Sequence, residues 1–193
     1  MRRRTKRGAI AALVAAAALF GAVVSTASAE RRIGPKVHAT YNAIFNCLGA
    51  AKCTFASVKL PQTTGAVRSR ITGTITRWRV NVDLGSGPMR LQVLRRTTNN
   101  KPGVDNDEFE VVRQTAKQTV PSIGPQGIDA NLKIRKGQFI GLQFPNGTRI
   151  AAFNGAGARF LEWVPTLTPK DPSEHSDFQA AHNYILFNAT VTR

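Results

Sequence analysis

The sequence predicts an all-β protein, with a single antiparallel β-sandwich or jelly-roll-like domain after a cleaved signal peptide. Apolar and polar residues alternate over most of the chain beyond residue 38, and Gly, Pro and Asn interrupt this alternation at short intervals. No stretch after residue 29 has a persuasive helical period. This combination indicates eight to ten short strands and excludes a βαβ nucleotide-binding layout.

The first 29 residues have the three parts of a secretory signal peptide. Five basic residues within Arg2–Arg7 precede an apolar run from Gly8 to Val24, and Ala27–Ala29 offers a cleavage site before Glu30. The 17-residue run is mostly alanine and shorter than the ~20 residues of a spanning helix, which favours cleavage over an uncleaved anchor. We therefore expect a signal peptide at 1–29, a flexible segment at 30–37 and the folded domain at 38–193.

The net charge is strongly positive, with 27 Lys and Arg residues against 11 Asp and Glu. Removing the signal with its five basic residues leaves 22 against 11, a charge of +11. Such a surplus attracts anionic polymers outside the cell. The alternative is that abundant arginine reflects a GC-rich genome and that net charge favours solubility.

Cys47 and Cys53 are the only cysteines. An isolated close pair in an exported protein predicts a disulfide that closes a short loop. The C-x-x-C spacing of redox sites is absent, and so are further ligands in register for zinc.

The predicted strands follow the alternation along the chain. They cover Thr54–Leu60, Arg68–Asp83, Met89–Val93, Glu108–Val120, Gly127–Arg135, Ile140–Phe144, Thr148–Phe153 and Ile185–Val191. The apolar parity of the second strand changes midway, which predicts a β-bulge or bend near Thr76. Pro145–Gly147 predicts a hairpin, and the long connections are Thr97–Asp107 and Pro165–His182.

Four stretches resemble landmarks of a known family: Gly73–Trp78, Met89–Arg95, Ile134–Leu142 and Leu186–Val191. The family is a large group of secreted β-sandwich proteins from soil-dwelling high-GC bacteria, and the similarity spans roughly Cys53 to the C-terminus. Gln138 stands where an acidic residue is usual, and many members continue into an Asp-rich tail beyond the position where this chain ends, Arg193. The resemblance implies fold and export, and no established activity comes with it.

Metal and catalytic signals are weak. Asp105, Asp107 and Glu108 are candidate calcium ligands, but Phe109 and Glu110 depart from the calcium-loop pattern, and a polar turn is the alternative. The three histidines lack metal-binding spacing, and no G-x-S-x-G elbow occurs. We predict no cofactor and no structural metal.

The two tryptophans receive different predictions. Trp78 continues an apolar strand face and is expected in the core. Trp163 precedes Pro165 at the mouth of a long loop and is a candidate for stacking on a ligand, although burial under the loop is the commoner role.

The function expected from these observations is non-catalytic. We expect a secreted binding or surface-structural module whose basic face associates with anionic or neutral polysaccharide of the cell wall, with no specific nucleic-acid partner and no membrane association after cleavage. Five basic residues lie at polar-face parity of their strands, so some of them could line one outward surface: Arg77, Arg79, Arg90, Lys133 and Arg135. The alternative is a polysaccharide hydrolase with carboxylates among Asp105, Asp107, Glu108 and Glu162. The oligomeric state is left open.

Overall fold

A computed structural model describes residues 30–193 apart from 48, 62–63, 86, 98–107, 121–122, 170 and 172–173. Within these residues the chain forms thirteen β-strands and no helix, which confirms the predicted all-β class. The predicted signal segment, 1–29, lies outside the described residues. In the part of the chain that is described, no helix has the length and apolar character needed to cross a bilayer.

All strand pairings in the sheet are antiparallel, as the alternating sequence pattern predicts. In chain order the strands are β1 (Arg31–Ile33), β2 (Ala43–Asn46), β3 (Lys52–Lys59), β4 (Gly73–Leu84), β5 (Gly87–Arg96), β6 (Glu108–Gln114), β7 (Gln118–Val120), β8 (Gly124–Ile134), β9 (Phe139–Pro145), β10 (Arg149–Trp163), β11 (Glu174–His175), β12 (Phe178–Ile185) and β13 (Phe187–Thr192).

The strands form one open sheet in the order β1-β13-β4-β10-β3-β9-β5-β6-β11. Four strands pair beside this path: β8 with β4, β7 with β5, and both β2 and β12 with β10. The long strand β10 links two parts of the sheet, because its start pairs with β4 and its end pairs with β3. We call β1, β13, β4 and β8 the first layer, and β3, β9, β5 and β6 the second layer.

The main hydrophobic core lies between these two layers. It joins Trp78 and Val80 of β4 to Leu91 of β5 and Leu142 of β9, all of them fully buried. Burial of alternate residues on both layers is the packing of a β-sandwich. The assignment of Trp78 to the core is confirmed.

A bulge in β4 lies where the change of apolar parity predicts it. The register of β4 against β8 shifts between Ile75 and Arg77, and its register against β13 shifts at the same place. Relative to β13, Thr76 is one extra residue, and it restores the inward direction of the apolar side chains on both sides of the bulge. Against β8 the extra residue lies on β8, between Leu132 and Asp129. The sequence predicts this feature because a parity change within one strand requires an inserted residue or a bend.

The Pro145–Gly147 turn is correct, but the hairpin predicted from it is wrong. Gly147 has the positive φ, 85°, that such a turn requires. The flanking strands β9 and β10 nevertheless do not pair, since β3 lies between them. A turn sequence fixes only the local reversal, whereas β3 supplies hydrogen-bond partners to both strands.

Several boundaries also differ from the predicted ones. Segment 30–37, expected to precede the domain, contributes β1, whose Arg32 pairs with Thr190 of β13. The predicted strand Glu108–Val120 is divided into β6 and β7, and β10 continues ten residues beyond Phe153 to Trp163. Gly155 and Gly157 interrupt the apolar alternation there, and β10 carries a register irregularity against β12 at this point.

The predicted disulfide is present. Cys47 and Cys53 are bonded, with their Cα atoms 5.5 Å apart, and both side chains are buried at the main core. The loop between them connects β2 to β3. The bridge therefore fixes the start of β3, the strand of the second layer that pairs with the end of β10.

Candidate anion-binding cleft

A cleft of about 940 Å³ lies between the end of β3, the segment that follows it and the turn after β8. Its lining comes from three stretches, Val58–Leu60, Gly65–Arg70 and Lys136–Gly137. A volume of this size is at the upper end of the range for small-molecule and cofactor sites. The cleft is therefore large enough for a ligand rather than for single water molecules.

Backbone hydrogen bonds fix the walls of the cleft to each other. The Ser69 amide donates to the Gln138 carbonyl oxygen, and the Gly137 amide donates to the Ser69 carbonyl oxygen, each at 2.8 Å. The Lys136 amide donates to Thr72 Oγ1 at 3.1 Å. These bonds hold the Gly65–Arg70 stretch against the turn at Lys136–Gly137, so the side chains of both stretches are carried on an ordered backbone.

Residues 64–72, which we call the 64–72 segment, precede β4, and the start of this segment is bonded to β1. The Gly34 amide donates to the Ala66 carbonyl oxygen at 2.7 Å, and Ile33 forms a bridge with Ala66. Gly65 has φ of +147°, and a Cβ atom there would lie 2.2 Å from the Gly34 carbonyl oxygen. Only glycine permits this close approach of the two backbones.

The cleft is lined by cations. Lys59, Arg68, Arg70 and Lys136 are all exposed, and no carboxylate occurs among the described lining residues. Like charges gathered around a concave surface focus a positive potential that concentrates anions. The Arg68 and Arg70 guanidinium groups are also suited to bidentate bonding of carboxylate or phosphate.

Sequence reasoning missed most of this cleft. Lys59, Arg70 and Lys136 belong to three segments that are distant in the chain, and only the folded backbone brings them together. A partial signal existed in the Lys133–Lys136 stretch, which is the densest basic group after residue 29.

The predicted basic face is only partly assembled. Arg77 and Arg79 project outward from β4, and Lys133 projects outward from the neighbouring β8, where its ammonium donates to Thr74 Oγ1 at 2.9 Å. Asp129 lies opposite Arg77 in the register, and its carboxylate is 4.0 Å from the Arg77 guanidinium. This carboxylate reduces the positive potential of the face.

Arg90 and Arg135 lie away from that face. Arg90 is on β5 opposite Gln143 of β9, on the outer side of the second layer. Arg135 follows β8 and is exposed, and its amide donates to Gln138 Oε1 at 2.7 Å within the turn beside the cleft. Arg77, Arg79 and Lys133 therefore share one outward surface, whereas Arg90 and Arg135 do not belong to it, since β4 and β5 lie in opposite layers and Arg135 lies in the turn beside the cleft.

Trp163 is not placed to contact an external ligand. Its side chain is fully buried, and its ring meets the Phe109 ring edge-on with centroids 5.6 Å apart. It belongs to a second apolar cluster, on the outer side of the second layer, that also contains Leu161 and Leu167. The interpretation of Trp163 as a stacking residue is wrong because the chain after Pro165 returns over it.

Glu162, a candidate acid of the hydrolase alternative, is also buried. Its side chain is 5% exposed, and Oε1 has no hydrogen-bond partner. Burial raises the pKa of the Glu162 carboxyl to about 7, and the nearby charge of Asp177 adds to this effect. A general acid has a raised pKa of this kind, but this carboxyl is enclosed and cannot reach an external glycosidic bond.

The remaining acidic candidates give no metal site within the described structure. Asp105 and Asp107 lie outside the described residues. Glu108 begins β6 and pairs in register with His175 of β11. Among the residues that the structure describes, no group of three or more His, Cys, Asp or Glu side chains is arranged to hold a metal ion.

Comparisons with known proteins give no relative. No protein-family model matches the chain, and no curated protein and no solved structure is significantly similar to it. The resemblance to secreted proteins of high-GC bacteria therefore stays a prediction.

Proposed function

We propose that the protein is a secreted, non-catalytic binding module that holds an anionic polysaccharide in the basic cleft. The observation that carries the proposal is the set of four exposed cations, Lys59, Arg68, Arg70 and Lys136, around a concavity of about 940 Å³. The signal-like N-terminus and the disulfide agree with an extracellular setting.

The lining of the cleft narrows the class of polymer. Single-stranded nucleic acids are held on aromatic side chains on which the bases stack. The described lining has no aromatic residue, and both tryptophans are buried in cores. The chemistry favours a polymer bound through its charged groups over one bound through ring stacking, and so favours an anionic polysaccharide over a neutral one.

Binding of a defined polymer at two salt concentrations tests the proposal. Polygalacturonate should bind at about 10 mM salt, where the Debye length is about 30 Å, and should be released at about 1 M, where it is about 3 Å. Neutral dextran should not bind at either concentration. Absence of polygalacturonate binding at low salt would refute the proposal.

A matched pair of double variants tests whether the polymer binds at the cleft. R68Q/R70Q removes two charges from the cleft, and R77Q/R79Q removes the same charge from the outer face of β4. We expect the first to weaken polygalacturonate binding about tenfold, equivalent to about 1.4 kcal/mol, and the second to change it less than about twofold. Equal losses in the two variants would indicate attraction by net charge and would contradict a specific cleft. Release of reducing ends would identify a hydrolase instead.

A further inference from the structure

Two smaller cavities share lining residues with the cleft. A cavity of about 320 Å³ shares Gly65, Ala66 and Arg70 with it, and a cavity of about 390 Å³ shares Lys59 with it. Shared lining residues mean that the three concavities adjoin. We infer that they form one elongated groove, and that its ligand is a linear polyanion that occupies all three. This inference rests on the proposed function.

The first end of the groove is formed by β1. Arg31 and Arg32 line this cavity together with Arg70, and Glu30 is its only described carboxylate. The Gly34–Ala66 hydrogen bond and the Ile33–Ala66 bridge hold β1 against the segment that carries Arg68 and Arg70. The backbone that carries Arg31 and Arg32 is therefore connected by hydrogen bonding to the segment that carries Arg68 and Arg70.

The second end is formed where β3, β10 and β12 meet. Lys59 of β3 and Arg159 of β10 are cross-strand partners, and His182 of β12 lines the same cavity. Like charges at directly paired positions repel each other, and a bound anion reduces that repulsion. Here Lys59 faces both this cavity and the central cleft.

The backbone at this second end contains two residues with positive φ, His182 and Gly157. His182 has a left-handed conformation, φ 62°, which is uncommon for a residue other than glycine. It lies opposite the irregular stretch of β10 between Asn154 and Arg159, where Gly157 also has positive φ, 79°. Unusual backbone conformations of this kind are found preferentially at functional sites.

The charges along the groove specify the ligand class. Cations are contributed in turn by β1, by the 64–72 segment, by the turn after β8 and by the paired strands β3 and β10. A single small anion would occupy only one of these positions. A chain with a charge on each unit would engage several at once, and linked contacts raise the overall affinity above that of any one site.

A length series of oligogalacturonates tests this inference at low salt. We expect the dissociation constant to fall by at least about tenfold from short to long oligomers and then to reach a plateau when the groove is filled. Inorganic polyphosphates of matched length show whether the groove prefers carboxylate or phosphate groups. The inference is supported if longer chains of either polymer bind more tightly than shorter ones. If the dissociation constant, expressed as the concentration of galacturonate units, is the same at every length, the inference is overturned.

Variants at the two ends of the groove distinguish a failure of this inference from a failure of the proposed function. R31Q/R32Q and R159Q should remove most of the gain that long oligomers show, and should leave the affinity for short oligomers unchanged. R77Q/R79Q is the control of equal or greater charge loss and should alter neither. Equal weakening of short and long oligomers by the end variants would overturn the elongated groove while the central cleft stands. If no oligomer of any length binds, the proposed function itself fails.

Discussion

Ser69 and Gln138 are joined through the backbone, because the Ser69 amide donates to the Gln138 carbonyl oxygen at 2.8 Å. Ser69 lies between Arg68 and Arg70, and Gln138 follows Lys136–Gly137, so this bond connects the two arginines to the lysine across the cleft. The Ser69 side chain is 2% exposed, and its hydroxyl donates to the Ile71 carbonyl oxygen at 2.6 Å. The positions of the cleft cations therefore depend on a small hydrogen-bonded assembly.

Gln138 should be the most sensitive side chain of this assembly. Its Oε1 accepts the Arg135 amide at 2.7 Å, and the side chain is largely buried. Q138A would leave that amide without its acceptor and should lower the free energy of unfolding by about 1–2 kcal/mol in urea denaturation. Q126A removes a side chain with only a long bond to Ile123, 3.4 Å, and should change stability by less than about 0.5 kcal/mol.

Q138E distinguishes the structural role of this position from its effect on charge. A carboxylate can still accept the Arg135 amide, so Q138E should keep most of the stability that Q138A loses. Its negative charge lies beside Lys136 and should weaken polygalacturonate binding. Stability as low as that of Q138A would show that the amide group itself is needed, and stronger binding would contradict the anion-binding cleft.

The sequence predicts those features of the fold that depend on local pattern. The bulge near Thr76 follows from side-chain parity, and the Cys47–Cys53 disulfide follows from the presence of only two cysteines. Pairing partners are not encoded locally. The position of β3 between β9 and β10 depends on the edges of three strands, which is why the hairpin predicted from the turn at Pro145–Gly147 is wrong.

The candidate site is harder to predict from the sequence than the strands are, because it too depends on contacts between distant segments. Arg77 and Arg79 have outward parity and could be recognised, but parity does not say that β5, with Arg90, belongs to the opposite layer. Arg68 and Arg70 fall within the predicted strand Arg68–Asp83, but β4 begins only at Gly73, so the parity of that strand does not give their direction. A cleft lined by non-repetitive segments therefore becomes visible only once the tertiary structure is known.

The Cys47–Cys53 bridge should contribute to stability through the unfolded state. For a loop this small, the chain-entropy relation gives about 2.4 kcal/mol. We expect C47S/C53S to lower the unfolding free energy by about this amount in urea, with a fold retained by circular dichroism. Mass spectrometry of the unreduced wild-type protein should show the loss of two hydrogens, confined to the peptide that contains both cysteines. Two free thiols in freshly secreted protein would contradict the bridge.

The N-terminus of the secreted protein should begin at Glu30. Cleavage after Ala29 leaves the sequence Glu-Arg-Arg-Ile, in which Arg31–Ile33 forms β1. N-terminal sequencing of protein from the culture medium checks this expectation. A substitution at the cleavage site, A29L, should retain the precursor with the membrane fraction. Retention of Met1 in the wild-type protein from that fraction would contradict cleavage.

Glu162 should make the stability of the protein depend on pH near neutrality. Burial raises the pKa of its carboxyl from 4.5 to about 7, so the folded state binds the proton more tightly than the unfolded state. The preferential binding of this proton stabilises the folded state fully below about pH 4.5. This stabilisation is lost as the pH rises to about 7, because the carboxyl then ionises in the folded state as well. The expected loss over this interval is on the order of 1–3 kcal/mol.

E162Q tests this expectation, because a buried amide has no proton to lose in this range. The difference in unfolding free energy between wild type and E162Q should change steadily from about pH 4.5 to about pH 7, to the relative advantage of the variant, and should be constant above that. D177N removes the nearby charge that contributes to the raised pKa and should reduce the size of the change. D129N alters a carboxylate whose side chain is 93% exposed and should keep the wild-type slope. A parallel pH dependence of wild type and E162Q would show that folding does not raise the pKa of Glu162.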